Sequence, residues 1–245
     1  MSIWITGDTH GDWMHRLNIN AFPEQKEMTK DDYVIICGDF GLWHDTKSER
    51  RNLDWLEGRP FTTLFVDGNH ECFDRLYAYP VEEWNGGNVH FIRPSVIHLM
   101  RGQVFTIDEK TFFTFGGASS HDIQDGILEP GDDRIEKWER EFKMFRVNHV
   151  SWWKEELPSN EEMREGVENL LSYNNNVDFI ITHCTSSSTA ALISNGMYKP
   201  DKLTAYLEEI RQMVNFKRWF FGHYHDNKAV NDKEIMLYEQ IIRIT

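Results

Sequence analysis

Residues 62–71 read Thr62-Thr63-Leu64-Phe65-Val66-Asp67-Gly68-Asn69-His70-Glu71, a β-branched and apolar run that passes directly into polar, metal-competent side chains. A short unbroken apolar run suits a strand buried on both faces, as in a parallel sheet covered by helices. Taken alone, Asp67-Gly68-Asn69 reads equally well as a hairpin turn. Recurrence along the chain favours the first reading. Ser2–Thr6 runs into Gly7-Asp8-Thr9-His10, Asp32–Cys37 into Gly38-Asp39, Val177–Thr182 into His183, and Arg218–Phe221 into Gly222-His223-Tyr224-His225. The carboxyl ends of parallel strands share one edge and form the crevice where ligands bind. All these clusters are therefore expected to meet there.

The intervening segments set the architecture. Ser159-Asn160-Glu161-Glu162 has the spacing of a capping box, and Met163, Val167, Leu170 and Leu171 follow on one helical face. Pro200 opens a second helix with Leu203, Leu207, Ile210 and Val214 at helical period and Asn215 near its end. Hairpins are predicted at Val104–Ile107 with Thr111–Phe115, and at Ala229-Val230 with Glu234–Tyr238. Parallel βα units plus hairpins predict an α/β protein of two packed mixed sheets with flanking helices, a single domain over residues 1–245. Residues 119–158 show no clean period and are expected to form a loop or partial helix over the site, a lid.

Composition narrows the function. With 245 residues, 40% hydrophobic and 27% charged, the chain is of ordinary globular type. Its net charge of −14 argues against a sequence-independent grip on nucleic acid, so an anionic substrate requires local positive charge. Cys37, Cys72 and Cys184 lie far apart, which suggests neither a disulfide framework nor a thiolate zinc site. The start Met1-Ser2-Ile3-Trp4 has no basic n-region, and no apolar run is long enough to cross a bilayer, so a cytoplasmic protein without membrane association is expected.

The converging clusters offer carboxylates, an amide oxygen and several imidazoles, with no thiolate among them. Such a set suits Mn²⁺, Fe or Zn²⁺, and it is large enough for two ions sharing one carboxylate. His223 and His225, two apart in extended chain, lie on the same side, as a chelating pair requires. The remaining histidines, His15, His44, His90, His98, His121 and His149, are expected at the surface or in the core.

In order, Asp8-x-His10, Gly38-Asp39, Gly68-Asn69-His70-Glu71, His183 and Gly222-His223-x-His225 resemble the full signature of the calcineurin-like metallophosphoesterases. The resemblance spans residues 7 to 225 and implies a four-layer α/β/β/α sandwich. It further implies that Asp8, His10, Asp39 and His225 bind one metal, that Asp39, Asn69, His183 and His223 bind the other, and that Asp39 bridges. His70 is then the catalytic histidine outside the ligand set. Two divalent ions, Mn²⁺ first with Fe or Zn²⁺ as alternatives, suit hydrolysis of a phosphomonoester or phosphodiester by a hydroxide held between them.

The sequence departs from that pattern in places that bear on substrate. Protein-phosphatase-like relatives carry an Asp-Arg pair after Gly-Asp, whereas Asp39 here is followed by Phe40-Gly41-Leu42-Trp43-His44-Asp45. Val66-Asp67 also replaces an Arg often found before Gly-Asn-His-Glu, which argues against a protein Ser/Thr phosphatase. His44 or Asp45 is a candidate to orient His70. The stretches 116–122 and 152–157 look like those of small bacterial and phage-type members, and Trp138, Trp152 and Trp153 are candidates for stacking a nucleobase. A small phosphorylated substrate, nucleotides included, is the expected partner. A nuclease of the same fold and a non-catalytic interaction scaffold are the alternatives.

Overall fold

The computed structural model describes residues 1–245. One sheet holds seven strands: β1 (Ile3–Thr6), β2 (Tyr33–Cys37), β3 (Thr62–Val66), β4 (Val81–Trp84), β5 (Gly87–Arg93), β6 (Val96–Leu99) and β15 (Ile242–Arg243). Their order is β15-β1-β2-β3-β6-β5-β4, with β1, β2, β3 and β6 parallel and the others antiparallel to their neighbours. The second sheet holds six: β7 (Gln103–Ile107), β8 (Lys110–Phe115), β11 (Asn176–Thr182), β12 (Asn215–Phe221), β13 (Lys228–Ala229) and β14 (Glu234–Met236). In the order β13-β14-β12-β11-β8-β7, the strands β8, β11, β12 and β14 are parallel. Both predicted hairpins are present, as β7-β8 and β13-β14.

Period-two alternation explains why the central strands read as unbroken apolar runs. In β2, Val34 and Ile36 join the cluster under the helices, while Ile35 and Cys37 face the interior between the sheets. In β12, Trp219 and Phe221 pack outward and Phe220 inward; β11 alternates likewise, with Ile180 outward and Phe179 and Ile181 inward. Three apolar layers result. Helices α1 (Trp13–Arg16) and α2 (Lys47–Glu57) cover the first sheet through Trp13, Leu53 and Leu56. Helices α5 (Asn160–Ser172) and α7 (Lys202–Met213) cover the second through Leu170, Leu203, Leu207 and Ile210. The architecture is therefore the α/β/β/α sandwich. Short helices α3 (Phe73–Leu76), α4 (Ile135–Arg140) and α6 (Ser187–Ile193) complete the set, and no helix is long and apolar enough to cross a membrane.

Several local expectations need correction. Helix α5 has the predicted box, with Ser159 and Glu162 capping each other's backbone. Helix α7 begins instead at Asp201, whose side chain accepts from the Thr204 backbone, because an aspartate satisfies a free helical N–H and Pro200 cannot. Asn215 does lie near the helix end, directly after the C-cap Val214, and there opens β12. The span 119–158 is more ordered than a loop: β9 (Gly126–Leu128) and β10 (Phe145–Val147) pair in parallel as a separate ribbon around α4. Its charged residues satisfy one another, so no apolar period announces it.

Asp67, wholly buried, ties the two sheets together beside the site. It accepts from His98 Nε2 (3.1 Å) and Arg101 Nε (2.9 Å), and its carbonyl receives Gly117 N–H (2.9 Å). Burial pushes the Asp67 carboxyl up, but Arg101 and His98 more than offset this and hold it well below the usual range. A depressed carboxyl contributes stability above its unfolded value and loses it as pH falls through about 4 and below. Arg101→Met strands the buried carboxylate and is expected to cost about 3–5 kcal/mol at neutral pH. Denaturant titration is expected to show the gap from wild type narrowing below about pH 4.

Candidate metal centre

Sharp turns deliver each side chain from a strand end. His10, Asp39, His223 and His225 all lie in the left-handed region, with φ of 47°, 44°, 68° and 50°. Asp and His are among the side chains that tolerate this region, and such strain persists only where the surroundings hold it. Here the hold is a network of backbone bonds. Thr9 and His10 N–H donate to the Asp39 carbonyl at 3.2 and 2.7 Å, and Gly222 N–H donates to the His183 carbonyl at 2.9 Å. The buried Glu71 carboxylate accepts from the N–H groups of Phe40, Gly41 and Leu42 at 2.6, 3.1 and 2.9 Å, which shapes the turn after Asp39.

Asp8, His10, Asp39 and His225 each place one ligand atom within 4.8 Å of the others. Asp8 accepts from His223 N–H at 2.9 Å and lies 3.1 Å from His225 Nε2. On the other side, His183 Nε2 lies 3.4 Å from Asp39 Oδ1 and 3.3 Å from Asn69 Oδ1. His10 Nε2 lies 3.7 Å from the second Asp39 oxygen, Oδ2. Asp39 thus turns one oxygen to each group of imidazoles. His183 Nδ1 donates to the Cys37 carbonyl at 2.8 Å, which leaves Nε2 to face the site. Asn69 is oriented likewise: its amide nitrogen donates to Ser120 Oγ (3.4 Å), and Ser120 donates to buried Glu156 (2.7 Å), so the amide oxygen points at His183.

The donor chemistry fits cations. Asp8 and Asp39 are each 1% exposed. Burial pushes the Asp39 carboxyl up, yet His183, helped by His70 and His10, holds it well below the usual range. Burial opposes charge on His183 too, but Asp39 and Asp8 raise its basicity. His223 is half-buried, and desolvation, with His183 alongside, pushes its basicity well below that of a free imidazole. Two carboxylates that draw a buried imidazole toward its cationic form would be served by a divalent ion held among the same donors.

The predicted site residues Asp8, His10, Asp39, Asn69, His70, His183, His223 and His225 all gather at this edge. Two neighbours were not expected. His121 Nε2 lies 3.0 Å from His223 Nε2, and Arg146 lines the same cavity of about 370 Å³ together with Asp39, Asn69 and His70. His121 stands in the 116–122 stretch that resembles small members of the family, whereas Arg146 carries no motif; both reach the site through the folding of 119–158. A larger cavity, about 650 Å³, opens beyond Asp8 and His10 between Arg16, Phe22, Glu24 and Tyr238.

The proposed orienters of His70 do not serve. Asp45 pairs with Arg50 and Arg75 at 3.1 and 3.3 Å, and His44 is exposed. Instead the Trp43 ring meets His70 edge-on at 5.7 Å and His10 does so at 5.3 Å. Trp153 is also unsuited to stacking a base, being buried with its indole N–H on Asp74 (2.7 Å), and Trp138 packs edge-on against Phe145.

A sequence model of the family described as calcineurin-like phosphoesterase matches residues 1–227. Lariat debranching enzyme A of Xenopus laevis is 25% identical over 148 residues, 53% of this chain and 26% of that protein. The lariat debranching enzyme of Arabidopsis thaliana is 28% identical over 107 residues, 38% of this chain and 26% of that protein. The chain thus spans about a quarter of the length of these relatives. Among solved structures, the phosphopantetheinyl hydrolase of Mycobacterium tuberculosis aligns over 97% of this chain and 88% of its own, with 15% identity and a TM-score of 0.44.

Close packing at the strand ends yields a test. A Cβ on Gly68 would lie 2.0 Å from Asp39 Oδ1, and one on Gly222 would lie 2.0 Å from Asp8 Oδ1. Gly68→Ala is expected to lower stability by about 1–3 kcal/mol and to reduce metal uptake, read by denaturant titration and elemental analysis.

Proposed function

The chain belongs to the calcineurin-like phosphoesterase family, and from that premise we propose that it is a metal-dependent hydrolase of phosphate ester bonds acting on a small phosphorylated substrate, nucleotides included. Asp8, His10, Asp39 and His225 hold one divalent cation, and Asp39, Asn69, His183 and His223 hold a second, with Mn²⁺ favoured over Fe or Zn²⁺. The observation that carries this reading is Asp39, whose two oxygens face His183 at 3.4 Å and His10 at 3.7 Å. When bound, a pair of divalent cations neutralises phosphate charge and activates water for attack.

The remaining chemistry falls to the protein's own groups. His70 stands at the edge of both donor sets, and its ring makes no hydrogen bond within the protein, while its backbone N–H donates to Asp39 at 2.8 Å. Burial lowers its basicity, with Asp39 opposing. Its imidazole is thereby free to give a proton to the departing alkoxide, a role that its cavity-lining position supports. The three cysteines are unpaired, which supports a reducing compartment such as the cytoplasm.

The names of the relatives favour one second reading, a debranching activity like that for which those enzymes are named. The net charge of −14 weighs against a nucleic-acid substrate. An inert scaffold is disfavoured because every donor of the two sets is present.

Hydrolysis of p-nitrophenyl phosphate and bis-p-nitrophenyl phosphate with Mn²⁺, Zn²⁺ or Mg²⁺ tests the proposal. Asp39→Asn is expected to lose bound metal and turnover together. His70→Ala is expected to keep its metal and lose about 10²–10⁴-fold in kcat; full turnover in the metal-loaded variant would remove the role given to His70.

A further inference from the structure

We propose that Arg146, carried to the site by the 119–158 segment, grips the phosphoryl group of the substrate; this rests on the phosphoesterase reading above. Arg146 is the only residue with a permanent positive charge lining the cavity that holds Asp39, Asn69 and His70. In a chain of net charge −14, an incoming anion needs such a charge. Lys and Arg are absent from the positions next to Gly68-Asn69-His70, where Asp67 stands instead.

The guanidinium is already aimed and only partly used. Its Nε donates to Asp122 at 2.8–2.9 Å, Nη2 lies 2.6 Å from the same carboxylate, and Nη1 donates to the Ser151 carbonyl at 3.1 Å. One N–H on each terminal nitrogen is left without a protein acceptor, and such planar donors match the oxygens of a phosphate. Asp122 acts as the support that holds the plane in position.

A purely structural role accounts poorly for this placement. The segment is docked elsewhere, through Asp74, which accepts from His149 at 2.8 Å and Trp153 at 2.7 Å, and through Arg101, which donates to the Glu155 carbonyl at 2.8 Å. A partly exposed Arg–Asp pair adds little to stability. Arg146, with its side chain 18% exposed, has its remaining donors to offer.

Calorimetric titration of the Mn²⁺-loaded full chain with inorganic phosphate tests the assignment alongside KM for p-nitrophenyl phosphate. Arg146→Ala is expected to weaken phosphate binding about ten- to a hundredfold and to raise KM by a similar factor, with metal content and melting temperature unchanged. Arg146→Lys should recover part of the loss, and added guanidinium should restore binding to Arg146→Ala, a rescue that a structural role would not produce. Phosphate affinity equal to wild type in Arg146→Ala, a loss that guanidinium does not repair, or a wild type that binds no phosphate would overturn it. Failure of the wild type to hydrolyse either ester removes the phosphoesterase reading separately, since the phosphate titration does not depend on turnover.

Discussion

Two carboxylates, Asp8 and Asp39, lie out of water at one edge of the sandwich, and that constraint organises the rest of the site. Buried negative charge is costly unless it is paired, and pairing here comes from imidazoles and backbone N–H groups. Asp8 takes the His223 N–H and faces His225; Asp39 takes the His70 N–H and faces His183. These partners come from the ends of β3, β11 and β12. The charge requirement therefore joins β1 and β2 of the first sheet to β11 and β12 of the second, and it explains left-handed backbone at residues where ordinary turns would not demand it.

Around this centre the protein is graded from rigid to open. Beneath it lie apolar layers whose aromatic side chains are fully buried, among them Phe65, Phe112 and Phe220, each contributing roughly 1.5–3 kcal/mol by removal from water. Behind it, Asp67 and Arg101 brace the sheets. Above it, the ribbon of β9 and β10 brings Arg146 to the cavity, while the same segment is anchored on Asp74. The site thus combines a preorganised floor with a roof of separate origin.

This division also accounts for which features were readable in the chain. Strands buried on both faces announce themselves as apolar runs, and the glycines, aspartates and histidines that follow them stand next to those runs in sequence. Residues 3–6, 33–37 and 62–66 were consequently placed within a residue of their bounds. Strand β4 was not, because it is mostly exposed and lacks the apolar signal. Arg146 escaped for a different reason. It lies in a charged segment without periodicity, and nothing local distinguishes an arginine that faces a cavity from one that faces solvent.

The sequence by itself determined the sandwich and the donor set, since burial pattern and the motif after each strand are local properties that hydrophobicity and turn chemistry enforce. Only the tertiary structure decided how the donors are shared. That Asp39 divides its oxygens between two imidazole groups, that Asn69 is turned by Ser120 and Glu156, that His10 packs against His70, and that Arg146 lines the same cavity are relations between segments distant in the chain. Such relations depend on where separate elements dock, and docking is set by packing and charge compensation across the whole molecule rather than by any one stretch of residues.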